Sequence, residues 1–264
     1  MMRALWTSAS GMTAQQYNVD TISNNLSNVN TTGYKKMRAE FEDLIYQTQR
    51  TAGTPATELT VVPLPMQVGH GTKVSATQRL FEQGSLRETG VFSDMAIDGE
   101  GFFRVLQPDG TFAYTRNGEF KVDRDRQLVT NKGLYAFPQV TFPENFIPDS
   151  VAISPQGEVS CKIPGQEEAA VIGQIQLYRF VNPAGLNALG DNLFKQSAAS
   201  GEAIAGLPGS EGMGQIHHKF IEASNVSVAN EMVNMIVAQR AYELNSKAIQ
   251  TSDAMLGIAN NLRR

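Results

Sequence analysis

Hydrophobic residues in the last forty positions of the chain fall on one repeating stripe. Counting alternately four and three residues from Val237 reaches Ala241, Leu244, Ala248, Thr251, Met255, Ile258 and Leu262, of which only Thr251 is polar. Gln239, Arg240, Glu243, Asn245, Lys247, Gln250, Asp253 and Asn260 lie between them. Residues 226–264 contain no Pro, and Gly257 is their only Gly. A narrow apolar stripe at this period predicts a helix with a coiled-coil-like seam. Upstream, Val226, Ala229, Val233 and Ile236 carry a stripe slightly out of phase, as a change of packing partner requires.

Residues 4–30 repeat the theme. Leu5, Met12, Val19 and Leu26 recur every seven positions, with Ile22 and Val29 filling the seam late in the segment. The spacing predicts a helix about 39 Å long. Arg3 and Asp20 are the only charges before Lys35, so the polar face suits a surface that is covered rather than hydrated. Asn30-Thr-Thr-Gly33 supplies the stop, with Gly33 free to take a positive φ. A second, short helix is predicted from Ala39 to about Gln49, where Phe41, Leu44 and Ile45 share a face. The two terminal helices either pair within one molecule or each pack against other copies. The plainer alternative is a helix capping its own domain's core.

Between the helices the pattern changes twice. Residues 50–68 are rich in Thr, Pro and Ala, with Leu59-Thr-Val61-Val62 at their centre, and predict an extended connector or an edge hairpin. From Gly69 the pattern alternates in short runs broken by Asp98-Gly99, Pro108-Asp-Gly110, Asn117-Gly118 and Asn131-Lys-Gly133. Phe102–Leu106, Thr111–Tyr114 and Glu119–Val122 are predicted strands joined by tight hairpins. Lys73–Phe81, Val151–Ser154, Glu158–Ile163, Val171–Val181 and Gln215–Glu222 are further candidates. Residues 182–214 hold seven Gly and little periodicity, which predicts a long irregular loop. The expected fold is α+β. N- and C-terminal helices form a coiled-coil-like region around a central, mostly antiparallel β domain, a sandwich or barrel-like structure. The expected divisions are a helical region 1–49, the connector 50–68, the β domain 69–224 and the closing helix 225–264.

Composition narrows the chemistry. The chain has 264 residues, 41% hydrophobic and 18% charged, with a net charge of −4, which argues against nucleic acid as a partner. Lys35, Lys36 and Arg38 are followed at once by Glu40, Glu42 and Asp43, and read as a solvated helix entry. The single cysteine, Cys161, shares a strand face with Val159 and Ile163 and is expected to be buried and inert. The start of the chain has no apolar h-region or cleavage site, which predicts either a cytoplasmic protein or export without a cleaved signal. His217 and His218, adjacent on a predicted strand, point to opposite faces and cannot readily share a metal ion. Gly99-Glu-Gly101 has Arg104 where a dinucleotide fingerprint needs its third glycine, and no Walker sequence occurs. Asp94, Asp98 and Glu100 are the carboxylates that a glycan hydrolase would require, although Asp98-Gly99 is equally turn chemistry. No catalytic, cofactor or metal residues are predicted, and the pattern points to an interaction surface.

Ser23-Asn-Asn-Leu-Ser-Asn-Val-Asn-Thr-Thr-Gly-Tyr-Lys35 resembles the N-terminal signature of bacterial flagellar rod and hook proteins. Ala223-Ser-Asn-Val-Ser-Val-Ala-Asn-Glu-Met-Val-Asn-Met-Ile236, followed by Gln239-Arg-Ala-Tyr242, resembles their C-terminal signature. Asp98-Gly-Glu-Gly-Phe-Phe103, Ala113-Tyr-Thr-Arg116 and Gly185–Leu193 agree in the middle. Chain length and Phe41-Glu-Asp-Leu-Ile-Tyr-Gln47 resemble the distal-rod branch, with the proximal rod as nearest rival. The resemblance implies a homo-oligomeric helical rod in the periplasm, exported through the flagellar type III apparatus. It also implies proximal rod, hook or hook-junction, and ring proteins as neighbours. Leu5, Met12, Val19, Ile22, Leu26, Val29, Val237, Leu244, Met255, Ile258 and Leu262 are the expected assembly interface. Phe41, Leu44, Tyr46, Leu59, Val61 and Val62 are the expected rod-specific segment.

Overall fold

A computed structural model describes residues 2–53, 55–57, 60–61, 63–144, 146–163, 170–210 and 212–261. The chain forms two compact units. One contains residues 1–27, 37–78 and 227–264, and the other contains residues 28–36 and 79–226.

The first unit is built on helices α1 (Met2–Ser27) and α2 (Val228–Asn261). Glu231 in the first turn of α2 suits the positive end of the helix dipole. The rest of this unit is a β arm made by the chain running out and back. Met37–Asp43 pairs with Thr72–Arg79, Tyr46–Arg50 with Met66–Gly69, and Pro55–Thr57 with Thr60–Val61. At its base the Thr72 amide donates to the Ser10 hydroxyl of α1 at 3.3 Å. Gly71, at φ +110°, sits where any Cβ would strike that hydroxyl.

The arm corrects the helix expected from Ala39 to Gln49. Phe41, Leu44 and Ile45 have helical spacing, but three apolar residues do not distinguish a helix from a strand. The partner strand lies some thirty residues away and decides the matter: the Leu44 amide donates to the Gly71 carbonyl at 2.9 Å.

The second unit is antiparallel β. Its main sheet runs in the order Phe120–Val122, Leu128–Thr130, Tyr135–Phe137, Phe103–Leu106, Phe112–Thr115, Leu193–Lys195, Asn187–Gly190. Ala152–Ile153, Glu158–Cys161 and Ala170–Gln174 form a three-stranded sheet. Three pairs complete the set: Met95–Asp98 with Gln215–His218, Leu86–Glu88 with Phe220–Glu222, and Leu177–Arg179 with Ile204–Gly206. Met95, Ile97, Phe103, Val105, Phe120, Leu128, Val159, Cys161, Leu177 and Ile216 are among the core residues. A second cluster gathers Phe81, Phe102, Tyr114, Tyr178, Phe180 and Phe194, largely edge-to-face. Edge-to-face rings set the positive edge of one against the negative face of the next, adding to the area they bury.

Three expectations about the β region change. Residues 182–214 are not irregular, because they contain three paired strands. Asp191 and Asn192, at φ +55° and +58°, make the two-residue turn between two of them, a conformation suited to the twist of a hairpin. The predicted strands Val171–Val181 and Gln215–Glu222 are each divided in two, the latter at Lys219 with φ +66°. Phe112–Thr115 and Phe120–Val122 are not hairpin neighbours, since three strands separate them in the sheet. Instead the Met95 amide donates to the Gly118 carbonyl at 3.0 Å, so the Asn117-Gly118 turn packs on a different strand.

Candidate assembly interface

Helices α1 and α2 pack antiparallel. Asn25 Nδ2 donates to Glu231 Oε2 at 3.2 Å, and a Cβ on Gly11 would lie 2.8 Å from Asn245 Nδ2. Both pairs sum to 256, which fixes a single register along the helices. The buried positions are Ser8, Ala14, Ile22 and Asn25 on α1, and Glu231, Ala238 and Ser252 on α2. The contact is therefore made mainly of small and polar residues, which bring the backbones close. Asn25 also holds the arm, donating to the Met37 carbonyl and accepting from the Met37 amide, each at 2.8 Å.

The large residues of the apolar stripe read from the sequence lie elsewhere. Val237, Leu244, Met255 and Ile258 are 62%, 66%, 50% and 61% exposed. On α1, Ile22 is buried, while Leu5, Met12, Val19 and Leu26 are half-buried on the flank of the contact. Val29 is half-buried but lies beyond the end of α1, in a turn. Leu262 lies outside the described residues. The internal seam on α2 runs one position away from the stripe, through Ala238, Asn245 and Ser252. Sequence reasoning followed the large side chains. The recurrence of Ser8, Gly11 and Ala14 against Ala238, Ala241 and Ala248 was the signal for the tight contact. Of the arm residues, Phe41 and Tyr46 are exposed and Leu44 is half-buried. Val61 falls in the strand Thr60–Val61, and Leu59 and Val62 lie outside the described residues.

A buried ionic hub organises the segment between α1 and the arm. Lys35 Nζ donates to Glu222 Oε1 at 2.6 Å, and Arg116 Nε donates to Glu222 Oε2 at 2.9 Å. Both cations make further bonds. Lys35 reaches the Glu82 carbonyl at 2.7 Å, and Arg116 reaches the carbonyls of Gly99 and Gly101 at 2.8 and 2.7 Å. The Gly84 amide gives Glu222 a further bond at 2.9 Å. Burial opposes the charge on Glu222, but Arg116 and Lys35 outweigh it and hold the carboxyl below its usual range. Gly33, at φ +69°, donates its amide to the Glu222 carbonyl, and a Cβ there would meet the Asn117 backbone at 2.7 Å. Lys35 is thus no solvated helix entry. Its partner stands almost two hundred residues away, beyond the reach of a local charge count.

Asp94 and Asp98 are each held by a separate hydrogen bond. Asp94 and Asp98 bracket the strand Met95–Asp98, which separates them by about 13 Å at strand rise. Asp94 is buried, accepts from the Thr89 hydroxyl at 2.6 Å, and has its carboxyl pushed up by burial. Asp98 accepts from Gln83 Nε2 at 3.0 Å. His218 Nε2 lies 2.8 Å from the Phe92 carbonyl, whereas His217 faces Asp98 at 3.4 Å. No group of three or more metal-ligating side chains occurs among the described residues.

The comparisons with known proteins match this architecture segment by segment. Residues 5–35 match the family described as flagella basal body rod protein. Residues 96–161 match the flagellar hook protein FlgE/F/G D1 domain, and residues 217–262 the flagellar basal body rod FlgEFG protein C-terminal region. The flagellar basal-body rod protein FlgG of Borreliella burgdorferi is 66% identical over 264 residues, covering both chains completely. Its counterpart in Bacillus subtilis is 38% identical over 270 aligned residues, again covering both chains completely. The flagellar hook protein FlgE of Helicobacter mustelae is 45% identical over 135 residues, which span 50% of this chain and 30% of the hook protein. Matched at both helical ends and through the β region, and collinear with its relatives from end to end, the chain belongs to the flagellar basal-body rod protein family, a family of structural proteins and not an enzyme class.

Proposed function

We propose that this chain is the structural subunit of the distal rod, polymerising through its terminal helices into a shaft that carries torque from motor to hook. The observation that carries this is the outward stripe on α2. Val237, Leu244, Met255 and Ile258 are each at least half exposed while the helix already has a packing partner along another face. Covering each of these side chains is worth roughly 1.5–3 kcal/mol, a strong drive to association when summed over neighbours. In the assembled rod the stripes pack in coiled-coil fashion between copies. The arm, with exposed Phe41 and Tyr46, adds contacts between neighbours. The hook relative matches over less than a third of its own length, which supports a rod rather than a hook subunit. Proximal rod and hook or hook-junction proteins are the axial neighbours, and ring proteins surround the shaft in the periplasm. Delivery is by the flagellar export apparatus.

Leu244→Asp tests the assembly. The variant should remain folded, with stability within about 0.5 kcal/mol of the parent, because the side chain is exposed. It should fail to form rods in sedimentation and electron microscopy. Normal rods from Leu244→Asp would sink the proposal.

A further inference from the structure

Helix α1 carries the chain's only tryptophan, Trp6, a residue 73% exposed. Helix α2 carries an exposed aliphatic patch made by Met232, Val233, Ile236 and Val237, each more than half exposed. Each surface has a charge only at its margin, Arg3 one turn from Trp6 and Arg240 one turn from Val237. No charged residue lies between Arg3 and Asp20 on α1, and the one charge between Val228 and Gln239 on α2 is Glu231, which is buried.

The two surfaces cannot meet within one molecule. The register set by Asn25 with Glu231 and by Gly11 with Asn245 places Trp6 opposite residue 250. From there to Val237 is thirteen residues (250 − 237), or about 20 Å along the helix axis. That is beyond the reach of an indole. We infer that Trp6 of one copy seats in the Met232–Val237 patch of a second copy, displaced by about 20 Å along the helix pair. Such a contact joins two different surfaces, so each copy keeps one of each free and the contact propagates. A large amphipathic ring entering an aliphatic surface is the usual anchor of an interface. The inference rests on the assembly proposed above and names the contact that sets its axial stagger.

The purified wild-type chain tests it, because Trp6 is the sole indole reporter. Polymerisation is followed by sedimentation and electron microscopy, and Trp6 by emission and acrylamide quenching. Rods with blue-shifted, quencher-protected emission support the contact. Rods with emission unchanged from the monomer overturn it and leave the assembly standing. Absence of rods sinks the assembly and this contact with it. Ala9→Cys with Val233→Cys supplies the second arm, with Trp6 retained and Cys161 buried. Ala9 lies opposite residue 247 (256 − 9), so a disulfide to position 233 must join two copies. A ladder of covalent oligomers on oxidation of assembled protein is expected. Assembled protein that yields only monomer on the gel would overturn the inference.

Discussion

The Lys35 ammonium and the Glu222 carboxylate lie 2.6 Å apart with side chains 1% and 0% exposed, and 187 residues of chain separate them. Each belongs to or adjoins one of the two terminal signatures, and Arg116, from the middle of the chain, shares the same carboxylate. Three distant stretches are therefore matched to one another by charge.

Breaking the hub should be costly. Glu222→Gln leaves two buried cations with one neutral partner, and Lys35→Met leaves Glu222 with the Gly84 amide and a single cation, Arg116. Removing one member of a buried ion pair costs about 3–5 kcal/mol. Both variants should show that loss in urea unfolding followed by near-ultraviolet circular dichroism. Lys36→Met, at a bridge of 3.4 Å to a largely exposed Glu82, should cost under about 1 kcal/mol.

The same carboxylate sets an acid limit. Arg116 and Lys35 hold Glu222 below its usual range, so the unfolded chain binds the proton more readily than the native one. Its contribution is therefore complete above the ordinary carboxylate pKa and is lost as pH falls toward the lowered native value. Asp94 works in the opposite sense. Burial raises it, so its contribution shrinks as pH rises from the ordinary carboxylate value through the raised one. Urea midpoints from neutral pH down to about pH 3 should fall more steeply for the parent than for Glu222→Gln.

At Gly118 the β unit has no room for a methyl group. A Cβ there would overlap the Met95 carbonyl, whose residue also donates its amide to the Gly118 oxygen at 3.0 Å. Backbone cannot yield as a side-chain end can. Gly118→Ala should lose about 3 kcal/mol or more and disturb the pairing of Met95–Asp98 with Gln215–His218. Amide exchange at Ile97 and Ile216 would report it.

Ala238 probes the inner face of α2. It is almost fully buried in a contact of small residues, so Ala238→Leu overpacks it by about 1–3 kcal/mol. Helicity of the dilute chain should fall on heating at lower temperature than for Leu244→Asp, which leaves that face untouched. The pair of variants separates folding within one copy from association between copies.

Much of this architecture is legible from residue order alone, and the failures have physical causes. The terminal helices follow from heptad spacing, and the turns at Pro108-Asp-Gly110 and Asn131-Lys-Gly133 from glycine conformations that the structure contains. The Asn117-Gly118 turn is equally visible, but its partner Met95 lies on another sheet, a long-range choice that local chemistry does not carry. Of the arm, the strand over 73–81 follows from the pattern and an edge hairpin in 50–68 is one of its two readings, whereas the stretch from Ala39 does not, since Phe41, Leu44 and Ile45 mimic a helix until the strand at 72–79 is present. Asp191-Asn192 is a hairpin turn without glycine, and so passed as loop. Of the interface, the large residues were found and assigned to one seam, whereas Gly11 and Asn245 mark a second that hydrophobicity does not weight.

Residues 28–36 follow α1 in sequence yet fold with the β unit, through Gly33 on the Glu222 carbonyl and Lys35 on the Glu222 side chain. A fragment begun at residue 69, where the β pattern first shows, would retain Arg116 and Glu222 and discard Lys35. The smallest excisable β module is consequently discontinuous: it needs a nine-residue tether from the far side of the arm, supplied in trans as a peptide or rejoined to residue 79 by a short linker.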